Sequence, residues 1–160
     1  MTSLRKRRTK GHKMMNYFQK AIFLLLISLV FNANASNENM QKFGELEVHY
    51  IGLPTMMLQP QIAKTYGIER SRYKGFINIA ILDASVESKP AISVGLSGVA
   101  TNLAGQRINL DFDKVTEGKA IYYIAQVSYS DEEIIKFDIL INNNGKQHSL
   151  KFQQKFYVEQ

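Results

Sequence analysis

The sequence predicts a mainly β protein, an antiparallel β-sandwich of about seven strands with one short helix. After residue 43, apolar residues recur at every second position along most segments, which is the period of a half-buried strand. Turn-forming residues separate these segments at short intervals, as in sandwiches. Residues 59–67 instead place proline at a first helical position and glycine just past the end, which is typical of a short helix.

Four of the predicted strands alternate clearly and each buries one face: 43–51, 106–114, 134–141 and 147–158. Two others, 73–83 and 119–128, are apolar on both faces, so we expect them to lie centrally or with one face under another element. The seventh is 91–101, where Gly95 and Gly98 indicate a bulge or a close backbone contact. Seven strands with frequent turns favour an immunoglobulin-like sandwich.

Two local signals add to the strand pattern: one indicates a hairpin turn, and the other indicates the buried face of the short helix. Asn144-Gly145 is a strong hairpin signal, because both central positions of a type I′ turn need positive φ. In the predicted helix, Ile62 and Tyr66 lie four positions apart and therefore on one face. We expect this helix to close an open end of the sandwich.

The first 35 residues are predicted to form a signal peptide that is cleaved after Ala35. A basic stretch ends at Lys20, an apolar run covers residues 21–31, and Ala33-Asn34-Ala35 supplies the small residues of a cleavage site. The apolar run has 11 residues, whereas a transmembrane helix needs roughly 20. We therefore expect export to the periplasm without a permanent membrane span, with an uncleaved anchor as the alternative.

Of the remaining chain, residues 36–42 are predicted to be a flexible tail and residues 43–160 a single sandwich domain. The charge and composition of this part exclude several classes of function. The first 20 residues contain seven of the 20 Lys and Arg and none of the 14 acidic residues. From residue 36 onward, 13 basic residues thus face 14 acidic ones, which argues against nucleic-acid binding. The absence of cysteine excludes disulfides, thiol nucleophiles and thiolate metal sites.

Several segments, spread over nearly the whole mature chain, resemble one bacterial family. They are VHY at 48–50, LQPQIAKTYGI at 58–68, RS at 70–71, NI at 78–79, NLAGQ at 102–106, AIYYIA at 120–125 and the closing residues 152–159. Together these motifs are similar to the family filed as domain of unknown function 4426. The resemblance implies an exported, mostly β domain without an assigned activity, and it carries over no site residues.

The favoured binding candidate is the basic stretch after the predicted helix. Arg70, Arg72 and Lys74 occupy alternate positions next to Tyr66 and Tyr73. Guanidinium groups bind carboxylates and phosphates through two parallel hydrogen bonds. We predict an edge that binds an anion or a partner here, and the alternative is that these charges keep a loop soluble and guard a sheet edge.

A second candidate is a metal site on the first predicted strand. Glu45, Glu47 and His49 alternate, so they project from one face, and three such ligands suffice for a divalent metal. The alternative is a solvated strand face. Met56 and Met57 are interpreted as core-filling residues rather than soft copper ligands.

The search for enzyme signatures yields no catalytic motif. The sequence contains no nucleophile elbow, glycine-rich phosphate loop or zinc-protease signature, and no cofactor is predicted. This favours an exported module that binds a protein or envelope component through a strand edge or through residues 70–74. A small-ligand or metal carrier is the alternative, and an enzyme of unrecognised type is less favoured.

Overall fold

The structure, a computed structural model, describes residues 39–158, so the predicted signal peptide lies outside the described residues. The described chain folds into nine strands: β1 Met40–Phe43, β2 Leu46–Pro54, β3 Lys74–Asp83, β4 Gly95–Asn102, β5 Arg107–Leu110, β6 Asp113–Glu117, β7 Ala120–Ser128, β8 Ile134–Asn143 and β9 Lys146–Lys155. Between β2 and β3 lie a 3-10 helix, Thr55–Met57, and one α-helix, α1, Pro60–Thr65. This confirms the prediction of a mainly β fold with a short helix.

The strands form two antiparallel sheets that share one core. Sheet A has the order β1-β2-β3-β7-β6, and sheet B has the order β5-β4-β8-β9. Side chains alternate between the two faces of each strand, so each sheet directs one row of apolar residues inward. The largest fully buried side chains are Phe137, Phe156, Ile77, Ile79, Ile81, Ile139, Ile141, Leu150 and Val48. Both sheets therefore contribute to the same core.

The number of strands is nine rather than about seven, and two local differences account for this. The two-residue turn Gly44-Glu45, with Gly44 at φ +60, returns the chain so that Met40–Phe43 pairs with β2. Residues 40–42, which the sequence analysis assigns to a flexible tail, therefore belong to a strand. The single strand predicted over 106–114 is wrong, because the chain crosses between the sheets after Leu110 and forms β5 in one sheet and β6 in the other.

Gly98 on β4 shows the close backbone contact that the sequence predicted as one of two alternatives. A methyl group at this position would meet Ile139 Cγ1 at 3.0 Å and Phe112 Cε2 at 3.2 Å. Glycine thus lets the middle of sheet B pack against the chain segment that crosses between the sheets.

Residues 55–73, which we call the cover segment, leave β2 and return to β3 at one end of the fold, and in between they run over the outer face of sheet A, so α1 does not close an open end of the sandwich. Leu58, Ala63 and Ile68 of this segment are buried. The backbone of Glu69 exchanges two hydrogen bonds with the side-chain amide of Gln126 on β7, at 3.1 and 2.9 Å. The helix prediction is therefore correct in position along the chain and wrong in its place in the fold.

The cover segment explains why β3 and β7 are apolar on both faces. One face of each strand lies in the shared core, and the other carries Phe76 and Ile124, which are 7% and 5% exposed. The expectation that one face of these strands lies under another element is confirmed. Within residues 39–158, no helix combines the length and the hydrophobicity needed to cross a bilayer.

Candidate partner-binding surface

The two ends of the cover segment are fastened side by side. Thr55 is fully buried; its hydroxyl donates to the Ser71 carbonyl at 3.0 Å and accepts from the Ser71 N–H at 2.9 Å. One terminal nitrogen of Arg70 donates to the Met56 carbonyl at 3.0 Å. These contacts place the 3-10 helix beside residues 70–73, at the end of the sandwich where β2 finishes and β3 begins.

The same end also includes the residues that follow β7 and β9. The Tyr129 N–H donates to the Tyr73 carbonyl at 2.9 Å, and the Tyr129 hydroxyl donates to the Tyr157 carbonyl at 3.2 Å. On the side of sheet B, the Asn102 amide donates to Glu133 Oε1 at 2.9 Å. Segments from both sheets are thus joined at this end by hydrogen bonds.

We call this surface the Tyr73 end and define it by residues 55–57, 70–73, 102–106 and 156–158. Of the eight exposed large hydrophobic side chains among the described residues, five lie on it: Met56, Met57, Tyr73, Leu103 and Tyr157. Met57 is 63% exposed and Tyr73 is 52% exposed. Because exposed apolar side chains gathered on one surface are typical of interaction sites, the Tyr73 end is the candidate functional surface of the domain.

The predicted basic residues lie at or beside this end, but they do not share one strand. Arg70 and Arg72 belong to the loop before β3, which begins at Lys74. The Arg72 guanidinium carbon lies 5.8 Å from the centroid of the Tyr73 ring, whereas Lys74 Nζ pairs with Glu69 Oε2 at 2.7 Å. The alternation on which the prediction rested is therefore that of a loop, and anion binding stays a prediction.

Tyr66 is separated from the other predicted residues by its own contact. Its hydroxyl donates to Glu117 Oε1 at 2.8 Å, which links the residue following α1 to β6. Burial, followed by this hydrogen bond, raises the pKa of Tyr66 to about 12. Tyr66 thus fastens the cover segment to sheet A and lies outside the Tyr73 end.

The predicted metal ligands form an ion-pair cluster on β2. Glu47 is only 5% exposed, with Lys89 Nζ at 2.8 Å and His49 Nε2 at 2.9 Å from its carboxylate oxygens. These two neighbours, Lys89 first, hold the pKa of Glu47 below its ordinary value. Lys42 Nζ lies farther away, at 3.9 Å, and Glu45 is exposed.

The structure does not gather Glu45, Glu47 and His49 into one group of ligands, so metal binding at this strand face stays a prediction. The described residues contain no group of three or more His, Asp or Glu placed to hold a metal ion. The face is not simply solvated either, because Lys89, 42 positions away in the chain, reaches over the carboxylate. A contact at this separation leaves no periodic signal in the sequence.

The methionine pair is the part of the surface that sequence analysis interpreted wrongly. The prediction that Met56 and Met57 fill the core is wrong, because they are 38% and 63% exposed. The buried residue of their helical turn is Thr55, whose hydroxyl has its partners in Ser71. The place of this turn immediately after Pro54, the last residue of β2, is the feature of the sequence that indicates an exposed turn.

Comparisons with known proteins place the chain in a family. The family model for a domain of unknown function, DUF4426, matches residues 40–159. The crystal structure of a DUF4426 family protein from Pseudomonas aeruginosa is 31% identical, with a TM-score of 0.66 over 78% of this chain and 98% of that chain. No curated protein matches the chain.

FetP from a uropathogenic Escherichia coli strain has a similar fold. A structure of FetP as isolated is 12% identical, with a TM-score of 0.53 over 76% of this chain and 94% of that chain. A copper-bound variant of FetP is also 12% identical, with a TM-score of 0.54 over 75% of this chain and 95% of that chain. The FetP similarity concerns the fold, whereas the family match covers the whole described domain, so the chain belongs to the DUF4426 family.

Proposed function

We propose that this domain is an exported binding module that engages a protein partner in the periplasm through the Tyr73 end. The observation that carries the proposal is that five of the eight exposed large hydrophobic side chains of the described residues lie at one end of the domain, the end to which Arg70 and Arg72 also belong. Tyr and Arg are enriched among the residues that dominate binding energy at interfaces. Met side chains adapt their shape to a partner.

Two cation and ring pairs indicate the chemistry of that partner. Arg72 lies by the Tyr73 ring, and Lys155 Nζ lies 4.8 Å from the centroid of the Tyr157 ring. An apolar surface flanked by cationic groups suits a partner surface that is apolar and bears carboxylates. The hydrogen bonds of Thr55 and Tyr129 hold this surface in place before binding, which lowers the entropy lost on association.

The proposal also includes a periplasmic location and an immunoglobulin-like order of the strands. The predicted signal peptide supports a periplasmic location, as does the similarity of fold to FetP, which was expressed in the periplasm. The order β2-β3-β7-β6 follows the order A-B-E-D of immunoglobulin domains, which supports the predicted immunoglobulin-like connectivity.

Site-specific photo-crosslinking in the native host tests the proposed surface. A photoreactive residue replaces Tyr73 in one variant and Leu140, which lies on the outer face of sheet B and is 39% exposed, in the matched control. We expect a crosslinked partner at position 73 and none at position 140. We also expect Met57→Ala and Arg72→Ala to weaken that crosslink and Val86→Ala to leave it unchanged. Equal crosslinking at both positions would contradict the proposal.

Metal binding is the second candidate function, favoured by the fold shared with copper-bound FetP and by the Glu47–His49 contact of 2.9 Å. Native mass spectrometry with added copper tests whether Glu45, Glu47 and His49 hold the metal. We expect His49→Ala to lose the bound copper and the control His148→Ala to keep it. Retention of copper by His49→Ala would eliminate this site.

A further inference from the structure

Sheet B ends in a long strand edge that pairs with no further strand among the described residues. β9 has 10 residues, whereas the other edge strands, β1, β5 and β6, have 4, 4 and 5. β9 pairs with β8 through ten consecutive residues without a bulge, and it contains no proline. Natural sandwiches protect their edges with short strands, bulges, proline or charged side chains, above all lysine. Of these devices β9 has only the last, in the form of three lysines.

The register identifies the backbone groups of β9 that point away from β8. The two-residue turn Asn144-Gly145 makes Asn143 and Lys146 a hydrogen-bonded pair, and such pairs recur at every second residue of an antiparallel ladder. The Phe156 N–H donates to the Glu133 carbonyl at 2.8 Å, which agrees with this assignment, because Phe156 is an even number of residues after Lys146. The backbone groups that point outward and bond to no other strand within residues 39–158 belong to Gln147, Ser149, Lys151 and Gln153. Those of Lys155 at the end of the strand also point outward, but its carbonyl already accepts from the Gln154 side-chain amide at 2.8 Å.

The charge of β9 favours one kind of occupant. The strand has three lysines and no acidic residue. Lys151 and Lys155 pair with Asp138 at 2.9 Å and Glu132 at 3.0 Å on exposed surface. Exposed ion pairs contribute little to stability, so these lysines can turn to carboxylates on an added strand. A second copy of β9 would add three lysines and no acid, so like charges oppose self-pairing.

The side of this edge that faces sheet A is lined by aromatic rings. The Phe43 and His148 rings lie 5.3 Å apart, and Tyr50 stacks on Phe152 at 4.5 Å. All four residues are partly exposed. Because side chains alternate along a strand, an added strand would direct one set of residues toward these rings and the other set toward the lysines.

We propose that β9 accepts an extended strand of a partner protein in which apolar residues alternate with Asp or Glu. Main-chain hydrogen bonds would provide the affinity of such strand addition, and the alternating side chains would provide its specificity. Apart from Lys155, the docking residues differ from those of the Tyr73 end, and the variants below leave Lys155 unchanged, so this inference holds or fails independently of the proposed function.

Two synthetic probes test the edge in solution. The acidic probe is a capped peptide of alternating Val and Glu, and the basic probe has Lys in place of each Glu. We expect the acidic probe to shift the amide resonances and slow the hydrogen exchange of Gln147, Ser149, Lys151 and Gln153, and the basic probe to leave them unchanged. An acidic probe without effect at millimolar concentration would overturn the proposal, and so would equal binding of both probes.

Variants of the strand separate strand addition from general surface binding. Ser149→Pro removes one outward N–H and leaves the ladder with β8 intact, so we expect affinity for the acidic probe to fall at least about tenfold. Ser149→Ala is the control, because it removes only the hydroxyl that donates to Asp138 at 2.9 Å, and it should bind as the wild type does. Unchanged binding by Ser149→Pro would overturn the proposal.

A charge-reversal variant keeps the test decisive if Ser149→Pro does not fold. Lys151→Glu leaves two lysines and one acid on β9 in place of three lysines, so the affinity for the acidic probe should fall and that for the basic probe should rise. Unchanged affinities for both probes would overturn the proposal. Concentration-dependent shifts at the four amides without any probe would assign the edge to a second copy of this chain and overturn the proposed partner.

Discussion

The outer faces of the two sheets differ although both sheets enclose the same core. On sheet A, Phe76 and Ile124 are buried beneath the cover segment. On sheet B, Lys136, Asp138 and Lys151 are exposed, and no other part of residues 39–158 covers them. Apolar side chains on an outer face are stable only under a second layer, whereas a polar outer face needs none. The difference shows that a strand with apolar residues on both faces indicates a second covering layer. A strand with clean alternation indicates that its outer face is exposed to solvent.

Substituting one apolar residue on each outer face should give the largest difference between them. We expect Phe76→Ala to lower the free energy of unfolding by about 3 kcal/mol, because it opens a cavity beneath the cover segment. Leu140→Ala on sheet B should change it by less than about 0.5 kcal/mol. Urea unfolding of both variants measures this, and similar losses would show that the cover segment contributes little burial.

The attachment of the cover segment is tested at Thr55. Thr55→Val removes the hydroxyl and leaves the Ser71 N–H and carbonyl without it, so we expect a loss of about 2 kcal/mol and faster proteolysis within residues 55–73. Thr55→Ser keeps both hydrogen bonds and serves as the control. Equal protease resistance of Thr55→Val and the wild type would mean that these bonds do not hold the segment.

The outer face of sheet A also carries the ion-pair cluster of Glu47, Lys89 and His49. The pH dependence of the free energy of unfolding tests how much this cluster stabilises the fold. The pKa of Glu47 is held below its ordinary value of 4.5 by Lys89 and His49, so the folded state favours the charged carboxylate. Its contribution is complete above the ordinary pKa and is lost as the pH falls through the lowered pKa. We expect Glu47→Gln to cost about 1 kcal/mol at neutral pH.

The same experiment contains its own control in acid. Below the lowered pKa, Glu47 is protonated in both states, so the wild type and Glu47→Gln should have nearly equal free energies of unfolding. A difference that persists unchanged from neutral pH into acid would show that the charge of Glu47 contributes nothing to stability.

The smallest effect is expected on the outer face of sheet B. The side chain of Lys151 is 70% exposed and that of its partner Asp138 is 56% exposed, so Lys151→Ala should change the free energy of unfolding by less than about 0.5 kcal/mol. Lys89→Ala, which removes a cation from the buried Glu47, should cost more. Thermal unfolding of the two variants compares them, and an equal effect would remove the distinction between the two faces.

The parts of the fold that were predictable have short-range causes. β8 and β9 alternate cleanly and are joined by Asn144-Gly145, so their hairpin follows from the residues themselves. β1 was not predictable, because the four residues Met40–Phe43 are stabilised by pairing with β2. The corner between β5 and β6 was also hidden, because Phe112 continues the alternation of the strand while the chain changes sheets.

The candidate surface was predictable to a similar extent. Arg70, Arg72 and Tyr73 were predictable because basic and aromatic residues are concentrated in that short stretch of the sequence. Met56 and Met57 did not, because their exposure depends on the contact between Thr55 and Ser71, 16 positions apart. Exposure of an apolar side chain is a property of the packed molecule, so a residue type alone does not reveal it.

The sequence by itself determined the mainly β fold, the short helix and the family, because periodicity, turn residues and motifs are local properties of the chain. Only the tertiary structure decided that the cover segment lies on a sheet face, that Lys89 reaches Glu47, and that β9 is a sheet edge. Each of these depends on contacts between distant parts of the chain, and their energies come from burial and pairing that exist only after the sheets have assembled.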